Sequence, residues 1–347
     1  MLSEPLSSGI PWMKRGSAAG EHMKIKESRK ASKVRKARKA EAPVENEVRT
    51  DSLYAWVLAA RPKTLSAALS PVAVGCALAV WAGCFKPVPA LLCVLFAVLM
   101  QIASNFINDY ADFEKGRDGE DRLGPRRACA QGWISPKKMK IGVVITIILA
   151  LCAGLPLAYF GGENMLNVAM LCLIGAYAYS AGPYPLGPKG IGDLLVVIYF
   201  GIIAVGFTFF VQSNVWTPQA TLCGLAVGFC IDLLLTVNNY RDCEQDKANG
   251  KKTLVARFGK DFGLRFYLGL GGFAVMFAVM LIPHGLKWAG LLPALFLVPH
   301  FMTWMKIGSI REGRALNACL GDTSRNIVVF SALLSLGLLM DAAAKLN

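Results

Sequence analysis

From residue 64 onward the chain runs as long, continuously apolar blocks separated by short polar breaks. Nine such blocks can be drawn, at 64–85, 88–107, 139–160, 164–182, 190–212, 217–237, 264–283, 286–305 and 326–345. Each is close to the ~20 residues that an α-helix needs to cross the hydrocarbon core of a bilayer. The blocks are apolar throughout and lack the in-and-out alternation of a membrane strand, so the pattern predicts helices and not a barrel. The expected fold is all-α: a polytopic membrane protein of nine transmembrane helices around a central cavity, capped by loops on one side. Residues 51–347 form that domain.

Residues 1–50 read differently. They are polar, dominated by Lys, Arg, Glu and Ala around KESRKASKVRKARKAEAP, and hold no apolar run able to form a signal-peptide core. The composition predicts a basic disordered tail, drawn to an anionic cytoplasmic leaflet. An organelle-targeting extension, or a later start at Met13 or Met23, stands as the alternative.

Composition sharpens the membrane reading, with 54% hydrophobic and 17% charged residues. The net charge of +14 resides in the tail and a few loops, which leaves no folded basic face for nucleic acid. Ten cysteines are scattered singly and there are only three histidines, so neither a disulfide framework nor a zinc site is expected. Cys93, Cys152 and Cys172, set inside apolar runs, read as small hydrophobes. Lys and Arg crowd the loops at 108–138, 238–263 and 306–325, while Lys86 and Lys287 stand alone. By the positive-inside rule those loops and the tail are cytoplasmic and Asn347 is outside. The expected location is the cell inner (plasma) membrane, an organelle membrane being the alternative.

Polar chemistry gathers where two blocks end. In QIASNFINDYADFEKGRDGEDRLGPRR, Asn105, Asn108, Asp109 and Asp112 recur at i, i+3, i+4 and i+7 on one helical face. In TVNNYRDCEQDKANGKKT, Asn239, Asp242 and Asp246 recur at i, i+3 and i+7. Both segments contain Asn-x-Tyr-x-Asp, as Asn108-Tyr110-Asp112 and Asn238-Tyr240-Asp242, and an even number of crossings separates them. That pairing suggests an internal repeat whose acidic faces oppose each other across a cavity. Carboxylates at a membrane boundary are costly to dehydrate and mark function. Oxygen-only donors without His or Cys select a hard cation such as Mg²⁺, which binds through a few carboxylates together with substrate phosphates. Arg122, Arg126, Arg127, Lys251 and Lys252 follow the carboxylates and suit a departing diphosphate. The segment YAYSAGPYPLGPKGIGD at 177–193 reads as a loop over the cavity mouth, with Lys189 and Asp193 as substrate contacts and Tyr177, Tyr179 and Tyr184 as a carbocation face or an interfacial belt. Arg61 and Lys63 read as snorkelling anchors.

A transporter would also place carboxylates in a helical bundle, but here both clusters lie at one membrane face and none at the midplane. A phosphatidyltransferase-type enzyme would carry one contiguous acidic motif, and here there are two.

The two Asp-rich segments resemble those of the UbiA superfamily of intramembrane prenyltransferases, over residues 54 to 345. The signature Asn-x3-Asp-x3-Asp followed by Asp-x3-Asp falls on Asn108 and Asp112, then on Asp242 and Asp246. Gly116 stands where many members have Asp, and Asp118 is its replacement. RPKTL at 61–65, NDYADFEKG at 108–116, RLGPRRACAQGWISP at 122–136 and NNYRDCEQDKANGKKTL at 238–254 are most similar to the branch that prenylates 1,4-dihydroxy-2-naphthoate in menaquinone synthesis. Ala130 sits where that branch often has Gln, and Gln131 follows it.

The resemblance implies transfer of a polyprenyl group from polyprenyl diphosphate to 1,4-dihydroxy-2-naphthoate, with loss of the ring carboxylate, giving demethylmenaquinone. It implies Mg²⁺ on Asp112, Asp118, Asp242 and Asp246 with Asn108, and orientation of the diphosphate by Asn108 and Asn239. It further implies charge uptake by Arg127 or Lys251, and Asp109 near the acceptor as a base. Asn105, Arg126, Lys189, Asp193 and Lys252 complete the expected substrate contacts. Other acceptors within the superfamily, such as 4-hydroxybenzoate, homogentisate, haem or chlorophyllide, stay open.

Overall fold

The computed structural model describes residues 48–117, 119 and 122–346; residues 1–47 of the expected tail and Asp118 lie outside the described residues. Eight of the expected spans are helices long and apolar enough to cross a membrane. They are α1 (Leu53–Trp81), α2 (Pro87–Glu114), α3 (Pro136–Gly161), α5 (Gly192–Ser213), α6 (Pro218–Arg241), α7 (Lys260–His284), α8 (Lys287–Ile310) and α9 (Leu316–Ala344). The remaining one, α4 (Asn164–Ser180), is a shorter apolar helix of 17 residues. No strand occurs among the described residues.

Local chemistry starts these helices where polar residues meet proline. Ser135 accepts a hydrogen bond from the Lys138 N–H ahead of Pro136, and Thr217 accepts one from the Ala220 N–H ahead of Pro218. Each hydroxyl satisfies one orphan donor of the first turn, while the proline needs no partner there. Lipid-facing surfaces are plain along α3, where Ile141, Val144, Ile145, Ile148 and Leu149 are exposed, and along α8, where Val298, Phe301, Met302 and Met305 are.

α1 and α6 are the most enclosed spans. α1 packs on α2, α5 and α9, and α6 on α5, α7 and α9. Small residues let α5 and α6 touch backbone to backbone: a Cβ on Gly201 would lie 2.4 Å from the Gly224 carbonyl oxygen, and one on Gly228 2.9 Å from that of Val197. Without a hydrophobic drive between helices inside lipid, such close packing is what holds spans together. A wide π turn over Val197–Ile203 accompanies this crossing.

α1 begins earlier than the hydropathy pattern predicts. It starts at Leu53, stops at Ala60, passes through Arg61 in the left-handed region (φ 53°) and the short turn Pro62–Thr64, and resumes at Leu65. Proline disfavours the helical region for its predecessor and cannot donate to the ladder, so Arg61-Pro62 enforces the break.

Candidate active site

A cavity of about 770 Å³ lies inside the bundle, walled by residues of α1 to α6, of α9 and of the connections between them. Its two ends differ in chemistry. Phe96, Leu157, Met165 and Phe207 line an apolar part, and Asn108, Asp112, Asn239, Asp242 and Asp246 line the polar mouth.

The first motif sits on α2, which continues past its apolar stretch to Glu114. Asn105, Asn108 and Asp112 fall on successive turns and all reach the cavity wall. Asn105 donates to the Ala60 carbonyl (2.9 Å) and to Thr64 Oγ1 (3.0 Å), which ties α2 to the break in α1. Asn108 donates to Ser180 Oγ (3.0 Å) at the end of α4. The Arg127 guanidinium bonds Asn108 Oδ1 and Asp112 Oδ2, the latter at 3.0 Å, and Arg117 lies 3.8 Å from the other Asp112 oxygen.

The second motif straddles the end of α6. The helix stops at Arg241, Asp242 caps it, and the short helix Cys243–Ala248 carries Asp246 back to the wall. Arg241, 3% exposed, holds Asp242 through Nε (2.8 Å) and Nη2 (2.6 Å). The Lys251 ammonium lies 2.8 Å from Asp246. Burial pushes the Asp246 carboxyl up from its ordinary value, and the Lys251 charge acts against that push.

Several expected residues lie elsewhere. Asp109 is 1% exposed and absent from the cavity wall; its Oδ2 accepts the Ala128 N–H (2.9 Å) and its Oδ1 the Cys129 N–H (3.0 Å). Asp109 thus stands off the wall, because a 100° step per residue turns it onto the flank of α2 while Asn108 faces the cavity. Arg126, Lys189, Asp193 and Lys252 are likewise outside the wall. Lys189 lies over the Tyr184 ring, and Lys252 contributes its backbone N–H to the Pro188 carbonyl (2.7 Å). Asp193 is buried at the start of α5. Tyr177 and Tyr184 are exposed, as a belt requires, whereas Tyr179 lines the cavity.

Conversely, Arg61 and Lys63 line the wall and do not merely anchor α1, since the break turns them inward. Arg241 and Asn317 also line it. The Arg-Asp pair inside the second motif could have flagged Arg241; nothing in its own sequence flags Asn317.

Among the described residues the wall holds the carboxylates Asp112, Asp242 and Asp246 and seven Lys and Arg side chains. These Lys and Arg side chains suit a polyanion that is carried with a cation. Among the described residues no three His, Cys, Asp or Glu side chains converge as a ready-made metal cage. Oxygen-only donors arriving from two motifs fit a hard ion that completes its shell with phosphate oxygens.

Fold and site together define a helical membrane protein with a cation-rich acidic chamber above an apolar pocket. Residues 68–319 match the model of the UbiA prenyltransferase family, and the chain belongs to that family. It is similar to the 1,4-dihydroxy-2-naphthoate octaprenyltransferase of Haemophilus influenzae, with 31% identity over 299 residues that cover 84% of this chain and 97% of that protein. The Escherichia coli protein of the same name is 38% identical over 219 residues, covering 61% of this chain and 71% of that protein. Among solved structures, a UbiA homolog from Archaeoglobus fulgidus bound to GPP and Mg²⁺ superposes with a TM-score of 0.61 at 18% identity, covering 82% of this chain and 99% of that one, which shows a common fold.

Proposed function

We propose that this chain transfers a polyprenyl group from polyprenyl diphosphate to 1,4-dihydroxy-2-naphthoate, with loss of the ring carboxylate as CO₂, giving pyrophosphate and demethylmenaquinone in its hydroquinone form, demethylmenaquinol, since the transfer itself oxidises nothing. The observation that carries the reading is the single cavity that joins both carboxylate motifs to an apolar pocket. A diphosphate on a hydrocarbon chain matches that division, and relatives named for naphthoate prenylation supply the acceptor.

Asp112, Asp242 and Asp246, with Asn108 beside them, would hold Mg²⁺. When bound, that ion neutralises diphosphate charge as a Lewis acid. Asn108 and Asn239 orient the diphosphate from the wall. Arg127 and Lys251, already poised against the carboxylates, meet the charge that grows as the allylic carbon–oxygen bond breaks. The apolar wall around Phe96, Leu157 and Phe207 receives the prenyl chain and keeps water from the allylic cation. The electron-rich acceptor ring forms the new carbon–carbon bond, and the carboxylate departs as CO₂. The Lys and Arg distribution and the bacterial relatives support an inner-membrane location with this mouth cytoplasmic.

The test is an assay of detergent-purified protein with labelled polyprenyl diphosphate and 1,4-dihydroxy-2-naphthoate, with and without Mg²⁺. Metal-dependent prenylated product with CO₂ release is the expected result. Turnover only with a different aromatic would overturn the acceptor, and no turnover with any aromatic would overturn the reaction.

A further inference from the structure

Arg127 reaches the first motif from a loop 15 residues beyond Asp112, so something must hold that loop in place. The two residues after Arg127 give their N–H groups to both oxygens of Asp109. A buried carboxylate paired with two backbone donors forms strong charge-assisted bonds. The turn closes on itself, with the Gln131 N–H bonded to the Arg127 carbonyl (3.0 Å) and the Trp133 N–H to that of Ala128 (2.9 Å).

The same loop is tied at its other end to the second motif. Asn317, at the start of α9, donates to the Leu123 carbonyl (2.9 Å) and accepts from Arg241 Nη1 (2.8 Å). The remaining Arg241 nitrogens hold Asp242. Gly124 lies close to that guanidinium: a Cβ there would come within 2.9 Å of Nη2. The stretch from Leu123 to Cys129 therefore touches the arginine of one motif and supplies the arginine of the other.

We infer that Leu123–Cys129 is a strap coupling the two acidic motifs, and that Asp109 and Asn317 are positioning residues which set Arg127 and Arg241 for the diphosphate. Neither acts on the reacting atoms. The inference rests on the diphosphate reading above and adds which residues assemble that site.

Asp341 provides a matched control. It is also buried, and its two oxygens accept consecutive N–H groups, of Trp288 (3.0 Å) and Ala289 (2.9 Å), but it is absent from the cavity wall. Binding of inorganic pyrophosphate with Mg²⁺ would be measured on the full chain in detergent, beside thermal unfolding and prenyl transfer. Asp109→Asn is expected to weaken pyrophosphate binding by about 10-fold and to lower kcat/KM for the diphosphate by at least that factor, with kcat falling as well because Arg127 meets charge that grows in the transition state. Asn317→Ala, at a half-buried position, should move the same quantities in the same direction. Asp341→Asn should lower the unfolding temperature and leave pyrophosphate binding unchanged. In an Arg127→Lys background the Asp109→Asn effect should shrink to under about 2-fold, because residues acting through one another are non-additive.

The inference is overturned if Asp109→Asn and Asn317→Ala bind pyrophosphate as the unsubstituted protein does. It is equally overturned if the Asp109→Asn loss persists in full when Arg127 is Lys. Should Asp109→Asn not fold, Asn317→Ala decides alone. An unsubstituted protein that binds no pyrophosphate would instead overturn the diphosphate reading itself.

Discussion

The two acidic motifs share a sequence pattern and differ in where their cations come from. Asp242 is held by its chain neighbour Arg241, and Asp246 by Lys251 five residues on. Asp112 has Arg117 near in sequence at 3.8 Å, but its closer partner, Arg127 at 3.0 Å, is brought back by a loop that other elements must hold. A local pair forms once the helix end forms, whereas an imported arginine exists only in the complete fold. The first motif should therefore be the more sensitive to distant substitution, and the second the more self-sufficient.

The largest effects test what the motifs have in common. Asp112→Ala and Asp242→Ala, and chelation of divalent metal, should each reduce prenyl transfer by at least about 100-fold, since each removes the cation that would neutralise the departing diphosphate or a carboxylate that would hold it. Retained activity in either variant would break the equivalence of the two motifs. Next comes the difference between them. Arg127→Lys should cost roughly 10-fold or more in kcat/KM, because one ammonium cannot reproduce a planar fork that meets Asn108 and Asp112 together. Lys251→Arg keeps a single charge facing Asp246 and should cost only about 3-fold on the same argument. Equal losses would mean that geometry at Arg127 matters no more than charge.

The smallest effect concerns support. Asn105→Ala removes two hydrogen bonds to the break in α1 and leaves the half-buried Ala60 carbonyl without that donor, so about 1–2 kcal/mol of stability should be lost in denaturant or thermal unfolding. Transfer activity measured well below the unfolding temperature should change little. A large activity loss with unchanged stability would place Asn105 among the substrate contacts and sharpen the first motif's role.

Much of the architecture was legible because lipid imposes one rule at a time. A continuous apolar run must be a helix, and Lys and Arg mark one side of the membrane. Each of the nine blocks falls on one of the helices α1 to α9 among the described residues, but α1 and α9 begin well before their blocks, at Leu53 and Leu316, and α2 runs on past its block to Glu114; in α1 the pair Arg61-Pro62, an edge in the hydropathy pattern, is an internal break. Helical periodicity placed Asn105, Asn108 and Asp112 correctly on one face. It could not say where that face ends, and Asp109 fell just past the boundary. Lys189 and Lys252 had the right charge for a phosphate contact, yet their positions depend on the Tyr184 ring and on a backbone bond to Pro188.

Local chemistry along the chain determined the spans, the recurrence of Asn and Asp at two helix ends, and the family these motifs signal. Those features depend on hydrophobic length and helical repeat, which each segment expresses without its neighbours. Only the tertiary structure decided which cations face which carboxylates, that Arg61 and Lys63 turn inward, and that Asn317, about 190 residues from Leu123, joins the two motifs. Such contacts span unrelated stretches of chain, and their partners are chosen by how helices pack.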